Sequence, residues 1–277
     1  MVHSMDPVQA WSAVGEAWDA DVDNVEEHSA EATAALLATL AVQPGDQVLE
    51  LAAGPGSLGA TWSTLVGPAG SAVVSDVAPG MVEFARRRNV ALDNVETAVI
   101  DAAAIDRADA SFDVVACRMG LMFTPDPSIA LSEIVRVLRP GGRFGALTWG
   151  AIQHNPWLTC VGMAAMANGL VAGGPPVGPG AIFSLGDPGD LEALAKGAGL
   201  VDVAVEEFAV TFRAGSVDAH IDRVTALAGP LAGALGSASP EQLAAFRRTA
   251  GELAAPYLTA DGLEIPGRAI LVTGRRG

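Results

Sequence analysis

The chain has 277 residues, of which 50% are hydrophobic and 17% charged, a balance that excludes a disordered segment and allows one large core with additions. Its 32 acidic against 16 basic residues give a net charge of -16, and Lys196 is its single lysine. Neither a phosphate-backbone binder nor a protein docked on an anionic membrane has that balance, so no nucleic acid and no membrane partner is expected.

In chain order, Trp11, Val14 and Trp18 fall at i, i+3 and i+7, and Leu36, Leu37 and Leu40 form a second apolar face, which predicts two amphipathic helices. Pro44 and Gly45 end the second, and Gln47 to Leu51 reads as a buried strand running into a glycine-rich turn. Ser57 to Val66 suits a helix, Ser71 to Asp76 a strand, and Pro79 to Arg88 a helix with proline in its first turn. Strands follow at Val95 to Ile100 and Phe112 to Cys117. Asp126 is an N-cap before Pro127, and a helix to Leu138 is stopped by Pro140-Gly141-Gly142 ahead of a strand from Arg143 to Trp149. Residues 150–186 are glycine, proline and small apolar residues, too apolar to float in water, and read as an active-site cover. Asp187-Pro188 caps another helix, Val201 to Phe212 alternates like a strand, Ser239-Pro240-Glu241-Gln242 has capping-box spacing, and Arg268 to Thr273 forms a last strand. Alternating β and α units predict an α/β, doubly wound, mostly parallel sheet.

The segment Glu50-Leu51-Ala52-Ala53-Gly54-Pro55-Gly56-Ser57-Leu58-Gly59 sets close-approach glycines between a strand and a helix, where backbone N–H groups face a ligand. Gly54, Gly56 and Gly59 alone also fit a dinucleotide enzyme, or a tight β-α turn that needs glycine for geometry. Glu50, Asp76 and Asp101 fall at the carboxyl ends of successive parallel strands, the edge at which doubly wound sheets bind ligands. Any one of them alone reads as a helix cap or a solvated acid. The competing reading, an NAD(P)-dependent oxidoreductase, lacks a Tyr-x-x-x-Lys pair, since Asp261 stands four residues after Tyr257, the single tyrosine. Cys117 and Cys160 lie in apolar contexts without CxxC spacing, so no metal site is expected.

Val48-Leu49-Glu50-Leu51-Ala52-Ala53-Gly54-Pro55-Gly56, Asp76 with Ala78-Pro79-Gly80-Met81, Asp101-Ala102, Phe112-Asp113-Val114-Val115 and Glu133 to Gly142 together resemble the ordered motifs of class I S-adenosylmethionine-dependent methyltransferases. The branch they resemble is that of the ubiquinone and menaquinone biosynthesis enzymes, over about residues 40 to 150. That resemblance implies a Rossmann-like, seven-stranded mixed sheet with a helical cap, S-adenosyl-L-methionine as cofactor, and a small-molecule acceptor. By it, Glu50 sits by the cofactor's amino group, Ala52, Gly54 and Gly56 pass close to it, and Asp76 holds the ribose. Val77 and Met81 flank the adenine, and Asp101 with Ala102 meets its amino edge. Ala52 departs from the glycine common in the family and narrows the methionyl pocket. Arg118 contacts the methionyl portion or the acceptor, or else pairs with a nearby acid.

A sulfonium methyl needs chiefly an aligned acceptor and a dry site. If the acceptor is a hydroxyl, His154 after the fifth strand is the candidate base, its alternative being a loop histidine satisfied by the backbone. Trp18, Phe123 and Trp149 are candidate acceptor contacts, with packing as core or in a homodimer contact as the alternative. His28 offers a weaker candidate in an acidic turn, and His3 and His220 none. The expected organisation is N-terminal cap helices at 1–43, a cofactor core at 44–149, a cover at 150–187, a core helix and strand at 188–213, a helical insertion at 214–267, and a last strand and tail at 268–277. With no signal-peptide pattern after Met1, the expected location is the cytoplasm. A non-catalytic nucleotide-binding module remains the other class of reading.

Overall fold

The computed structural model describes residues 7–171 and 176–277; His3, part of the N-terminal cap and residues 172–175 of the cover lie outside the described residues. Three helices, α1 (Pro7–Ala13), α2 (Gly15–Ala20) and α3 (Val22–Leu40), come first, where the apolar spacing predicts two. The chain breaks at Val14 and Asp21, and α2 between them lies close to α5: a Cβ on Gly15 would stand 3.1 Å from the Phe84 ring. The α/β core then runs β1 (Gln47–Leu51), α4 (Gly59–Val66), β2 (Ser71–Asp76), α5 (Pro79–Asn89), β3 (Val95–Val99), β4 (Phe112–Arg118), α6 (Pro127–Val137) and β5 (Leu138–Trp149). Next come α7 (Pro156–Ala167), α8 (Pro188–Gly197), β6 (Leu200–Ala214), α9 (Val217–Leu227), α10 (Gly229–Gly236), α11 (Pro240–Ala254), β7 (Leu258–Thr259) and β8 (Gly262–Arg276).

The strand order is β3-β2-β1-β4-β5-β8-β6, with the two-residue β7 paired to β8. Strands β1 to β5 pair in parallel, and β8 runs antiparallel between β5 and β6. This is the expected doubly wound mixed sheet, and its order reverses between β1 and β4, where such sheets hold ligands. Three of the helix limits differ from the expectation, α5 only by running on to Asn89. Helix α4 opens at Gly59 rather than Ser57, since residues 54–58 are spent on the turn. Helix α6 ends at Val137, and Pro140-Gly141-Gly142 lies inside β5, where Gly141 at φ 76° lets the chain bulge between the Leu138 and Arg143 pairings. Three of the expected caps form: Asp126 accepts from Ser128 N, Asp187 from Gly189 N and Asp190 N, and Ser239 with Gln242 closes a capping box.

Alternation along the strands sorts the core into two faces. Leu49, Leu51, Val115, Cys117, Phe144 and Ala146 pack under α6 and α8. Val48, Val74, Val114, Ala116 and Leu271 pack under α3, α4 and α5. Glu50 shares the parity of Val48, Asp76 that of Val74, and Arg118 that of Ala116, so three charged side chains at the carboxyl edge emerge on the α3 face. The segment after β5 is more ordered than a cover of small residues implies, because it contains α7. That helix joins α9, α10 and α11 in an apolar cluster of its own around Val161, Ile221, Val224 and Phe246.

Candidate active site at the carboxyl edge of the sheet

Register places the site before any side chain is considered. Glu50 pairs with Ala116 and Asp76 with Val99, so the ends of β1, β2 and β4 form one edge under the glycine turn. Glu50 is 1% exposed and accepts a hydrogen bond from Trp62 Nε1 at 2.8 Å. Burial pushes its carboxyl up to about 7, although the Arg118 charge and the Trp62 bond oppose that shift. Asp76 is buried too, and burial also raises its carboxyl. Its Oδ2 accepts from Gly54 N at 3.0 Å and its Oδ1 from Ala78 N at 2.9 Å, so this carboxylate ties the glycine turn to the start of α5.

The glycines divide by task. Gly54 has φ 55°, and a Cβ there would point into open space, as a turn with room for a ligand requires. Gly59 is fixed by packing instead, since a Cβ there would fall 2.0 Å from Asn89 Oδ1. Gly56, at φ 75°, is likewise pressed against α5, with Ala85 Cβ 2.8 Å away. Ala52 holds φ 53°, unusual for a residue with a Cβ, and its Cβ would stand 2.1 Å from a Cβ on Gly120, so position 120 has no room for a side chain. Val77 is half-buried beside Asp76. Met81 is 3% exposed and packs with Val14 and Ala78, against which Trp11 and Trp18 rest. Asp101 is exposed and accepts from Ala103 N at 2.8 Å, while Ala102 packs on the core below it.

Arg118 pairs with an acid, and that acid is Glu26 on α3, at 2.7 Å from Nη1 and 2.6 Å from Nη2. Ser57 of the glycine turn completes the group: its hydroxyl donates to Glu26 at 2.5 Å and accepts from Arg118 Nη2 at 2.8 Å. Burial favours a raised Glu26 carboxyl, but the Arg118 and Ser57 bonds outweigh it and hold that carboxyl below its ordinary value.

The sequence-predicted aromatic residues fall into two groups. Trp11 meets Phe123 edge to face at 4.9 Å and Trp18 at 6.2 Å, beside Met81, while Trp18 Nε1 donates to Leu227 O. Trp149, Trp157 and Phe212 form a second wall, with His28 stacked on Phe212 at 4.9 Å. His28 is thus part of that wall rather than of a solvated acidic turn, and its Nε2 accepts from Arg213 N. His154 ends an exposed 3-10 turn outside both groups. Sequence reasoning misses Glu26, Ser57 and Trp62, which meet the site only through tertiary contact. It also misses Asn155, which is fully buried, donates to Gly150 O and accepts from Arg268 N, locking the segment after β5 to β8.

The donor set fits an S-adenosylmethionine-type ligand: a turn with open space before Gly54, a buried carboxylate at the end of β2, and opposed charges at Glu50, Glu26 and Arg118. Together with the strand order, these features fit the Rossmann-like fold of class I methyltransferases. Residues 48–142 match the methyltransferase domain family. A curated relative, the ubiquinone/menaquinone biosynthesis C-methyltransferase UbiE of Teredinibacter turnerae, is 37% identical over 117 residues, 41% of this chain and 47% of the relative. The chain thus spans about half the length of the curated relatives it matches. Among solved structures, the YcgJ protein of Bacillus subtilis superposes with a TM-score of 0.58 at 19% identity, covering 88% of this chain and 97% of that one. Phosphoethanolamine N-methyltransferase 2 of Haemonchus contortus, in complex with S-adenosyl-L-methionine, superposes at 0.57 with 16% identity over 94% of this chain and 57% of that one. At such identities the structural likeness speaks for the fold. Among the described residues, no helix is long and apolar enough to cross a membrane, and no group of His, Cys, Asp and Glu could hold a metal ion.

Proposed function

We propose that the protein transfers a methyl group from S-adenosyl-L-methionine to a small, apolar or aromatic metabolite by in-line displacement. The single observation that carries this reading is the convergence of Glu50, Asp76 and the Gly54 turn on one sheet edge, inside the segment that matches the methyltransferase domain family. When bound, the cofactor supplies a sulfonium methyl that is already electrophilic, so the chain's own task is alignment and exclusion of water. Asp76 holds the ribose hydroxyls, because a carboxylate oxygen that accepts one backbone N–H still has a lone pair for a hydroxyl. Val77 and Met81 bound the adenine, and Asp101 with Ala102 meets its edge. Glu50 lies by the amino-acid end as a buried carboxyl, and Arg118, paired with Glu26, stands beside it.

The acceptor reading rests on Trp11, Trp18 and Phe123 beside Met81 and on the Trp149, Trp157 and Phe212 wall, with α7 and α9 to α11 as the cover behind it. A C-methylated quinone precursor, the acceptor class in the name of the UbiE relatives, is one member of that chemical class. His154, exposed and outside both walls, has no step assigned to it in this reading.

Calorimetric titration with S-adenosylmethionine, S-adenosylhomocysteine and NADH tests the cofactor class directly. Binding of the first two with no heat from NADH is the expected result. Binding of NADH alone, or of none of the three, overturns the reading.

A further inference from the structure

At the amino end of the sheet, away from the glycine turn, lies a cavity of about 310 Å³ whose lining includes Gln43, Asp113, Arg139, Gly141, Arg143 and Arg275. That volume is at the lower bound of small-molecule sites. Three guanidinium groups at one place run against the charge of a chain with 32 acidic and 16 basic residues. Two of the three have partners. Arg139 pairs with Asp113 and Arg143 with Asp46, and Arg143 Nη1 also donates to Ala41 O at 2.6 Å. Both acids are also tied to the backbone around β1, since Asp113 accepts from Gln47 N and Asp46 from Gln43 N, each at 2.8 Å.

Arg275 differs. It is exposed, and among the described residues no hydrogen-bond acceptor and no acid meets its side chain. Antiparallel pairing sets it directly opposite Arg143, so β5 and β8 present two like charges side by side on one face. Such a pair destabilises a sheet unless an anion offsets it. Asp46 is taken by Arg143, and Asp202, which lines an adjoining cavity of about 90 Å³, forms no ion pair with Arg275. Three arginines against Asp46 and Asp113 leave the larger cavity with an excess positive charge. Arg139 has donors to spare, because it commits only Nη1 to Asp113 and is 44% exposed. Gly141, at φ 76°, adds space, for a Cβ there would meet nothing within 4 Å.

We propose that this cavity binds the phosphoryl group of a small anionic metabolite, with Arg275 as its principal donor and Arg139 as the second. The donors stand on two strands rather than in one planar fork, which suits a tetrahedral group with three acceptor oxygens better than a flat carboxylate. The site is separate from the methyl-transfer edge: Asp113 and Arg118, near the two ends of β4, are five residues or about 17 Å apart. The proposal is therefore independent of the cofactor reading.

The test is calorimetric titration of the full chain and of Arg275→Gln with inorganic phosphate, glycerol 3-phosphate and acetate at constant ionic strength. The wild type should bind a phosphoryl ligand saturably with a Kd of about 1 mM or tighter, and acetate at least about tenfold more weakly. Arg275→Gln should lose about tenfold or more of the phosphoryl affinity, as the loss of a charge-assisted bond implies. Without ligand it should melt no lower than the wild type, because the like-charge contact is gone. Should Arg275→Gln fail to fold, the same loss of affinity is expected of Arg139→Gln. Tighter binding of glycerol 3-phosphate than of phosphate would assign the rest of the cavity to an organic moiety, and equal binding would make inorganic phosphate itself the ligand; either supports the site. Phosphate held at the glycine turn would bind wild type and variant alike, and that result would overturn the proposal. So would the absence of saturable binding to the wild type, acetate binding as tightly as phosphate, or a variant that melts lower than the wild type.

Discussion

Trp62 and Glu50 stand twelve residues apart, on α4 and β1, and meet through an indole N–H donated to a carboxylate oxygen at 2.8 Å in a site that excludes water. The pair shows how one side chain serves two ends. The N–H satisfies a carboxylate that the sheet buries, and the ring fills the α4 side of the core.

Glu50→Gln is expected to stabilise the protein at pH 8. The folded-state value of about 7 lies above the ordinary 4.5, so the folded chain keeps a proton that the unfolded chain releases. Stability owed to this group is therefore fully present below about pH 4.5 and is lost as pH rises through 7. The amide keeps an acceptor for Trp62 and removes the buried charge. A gain on the order of 2 kcal/mol at pH 8 that shrinks toward pH 5 should appear in thermal unfolding curves. A loss of equal size at both pH values would contradict the assignment.

Asp76→Ala should cost both stability and binding, because the carboxylate anchors Gly54 N and Ala78 N as well as facing the edge. Leaving two backbone donors without an acceptor costs about 1–3 kcal/mol for each. Asp76→Asn separates the two roles: its amide oxygen can serve only one of the two N–H groups, yet the turn should survive better than with alanine. Chemical denaturation and S-adenosylhomocysteine titration of both variants would check this. A normal affinity in either variant would remove Asp76 from the ribose.

The glycine turn gives a third contrast. Gly54→Ala strains a residue at φ 55° by about 1–2 kcal/mol and places a methyl group in open space, so ligand affinity should suffer more than folding. Gly59→Ala collides with Asn89, which is buried and bonded to Gly56 O and Ala85 O, so folding should suffer first, by about 1–3 kcal/mol. Melting temperatures and affinities measured on the two variants should rank them in opposite orders.

Local rules in the sequence determined the first strands, the caps and the edge, whereas β8 runs from Gly262 to Arg276, well beyond the expected Arg268 to Thr273 and into the expected helical insertion. Gln47 to Leu51 and Ser71 to Asp76 are buried apolar runs closed by turn residues, and the structure holds them at those limits. Asp126, Asp187 and Ser239 cap helices because their side chains reach N–H groups two or three residues away. The positions of Glu50 and Asp76 near strand ends follow from the same alternation, whereas Asp101 stands two residues beyond the end of β3. What required the tertiary structure were partners far along the chain. Glu26 finds Arg118 across 92 residues, Trp18 finds Leu227 across 209, and Asn155 finds Arg268 across 113. Strand parity sends Arg118 toward the α3 face, but only the packing of α3 on β5 and β6 decides which acid waits there. Likewise, the glycine and alanine content after Trp149 carries no strong period, so α7 is defined by the apolar cluster it completes with α9 to α11 rather than by its own sequence. Short-range hydrogen bonds and alternation are written in neighbouring residues; charge pairing and burial depend on which surfaces the fold brings together.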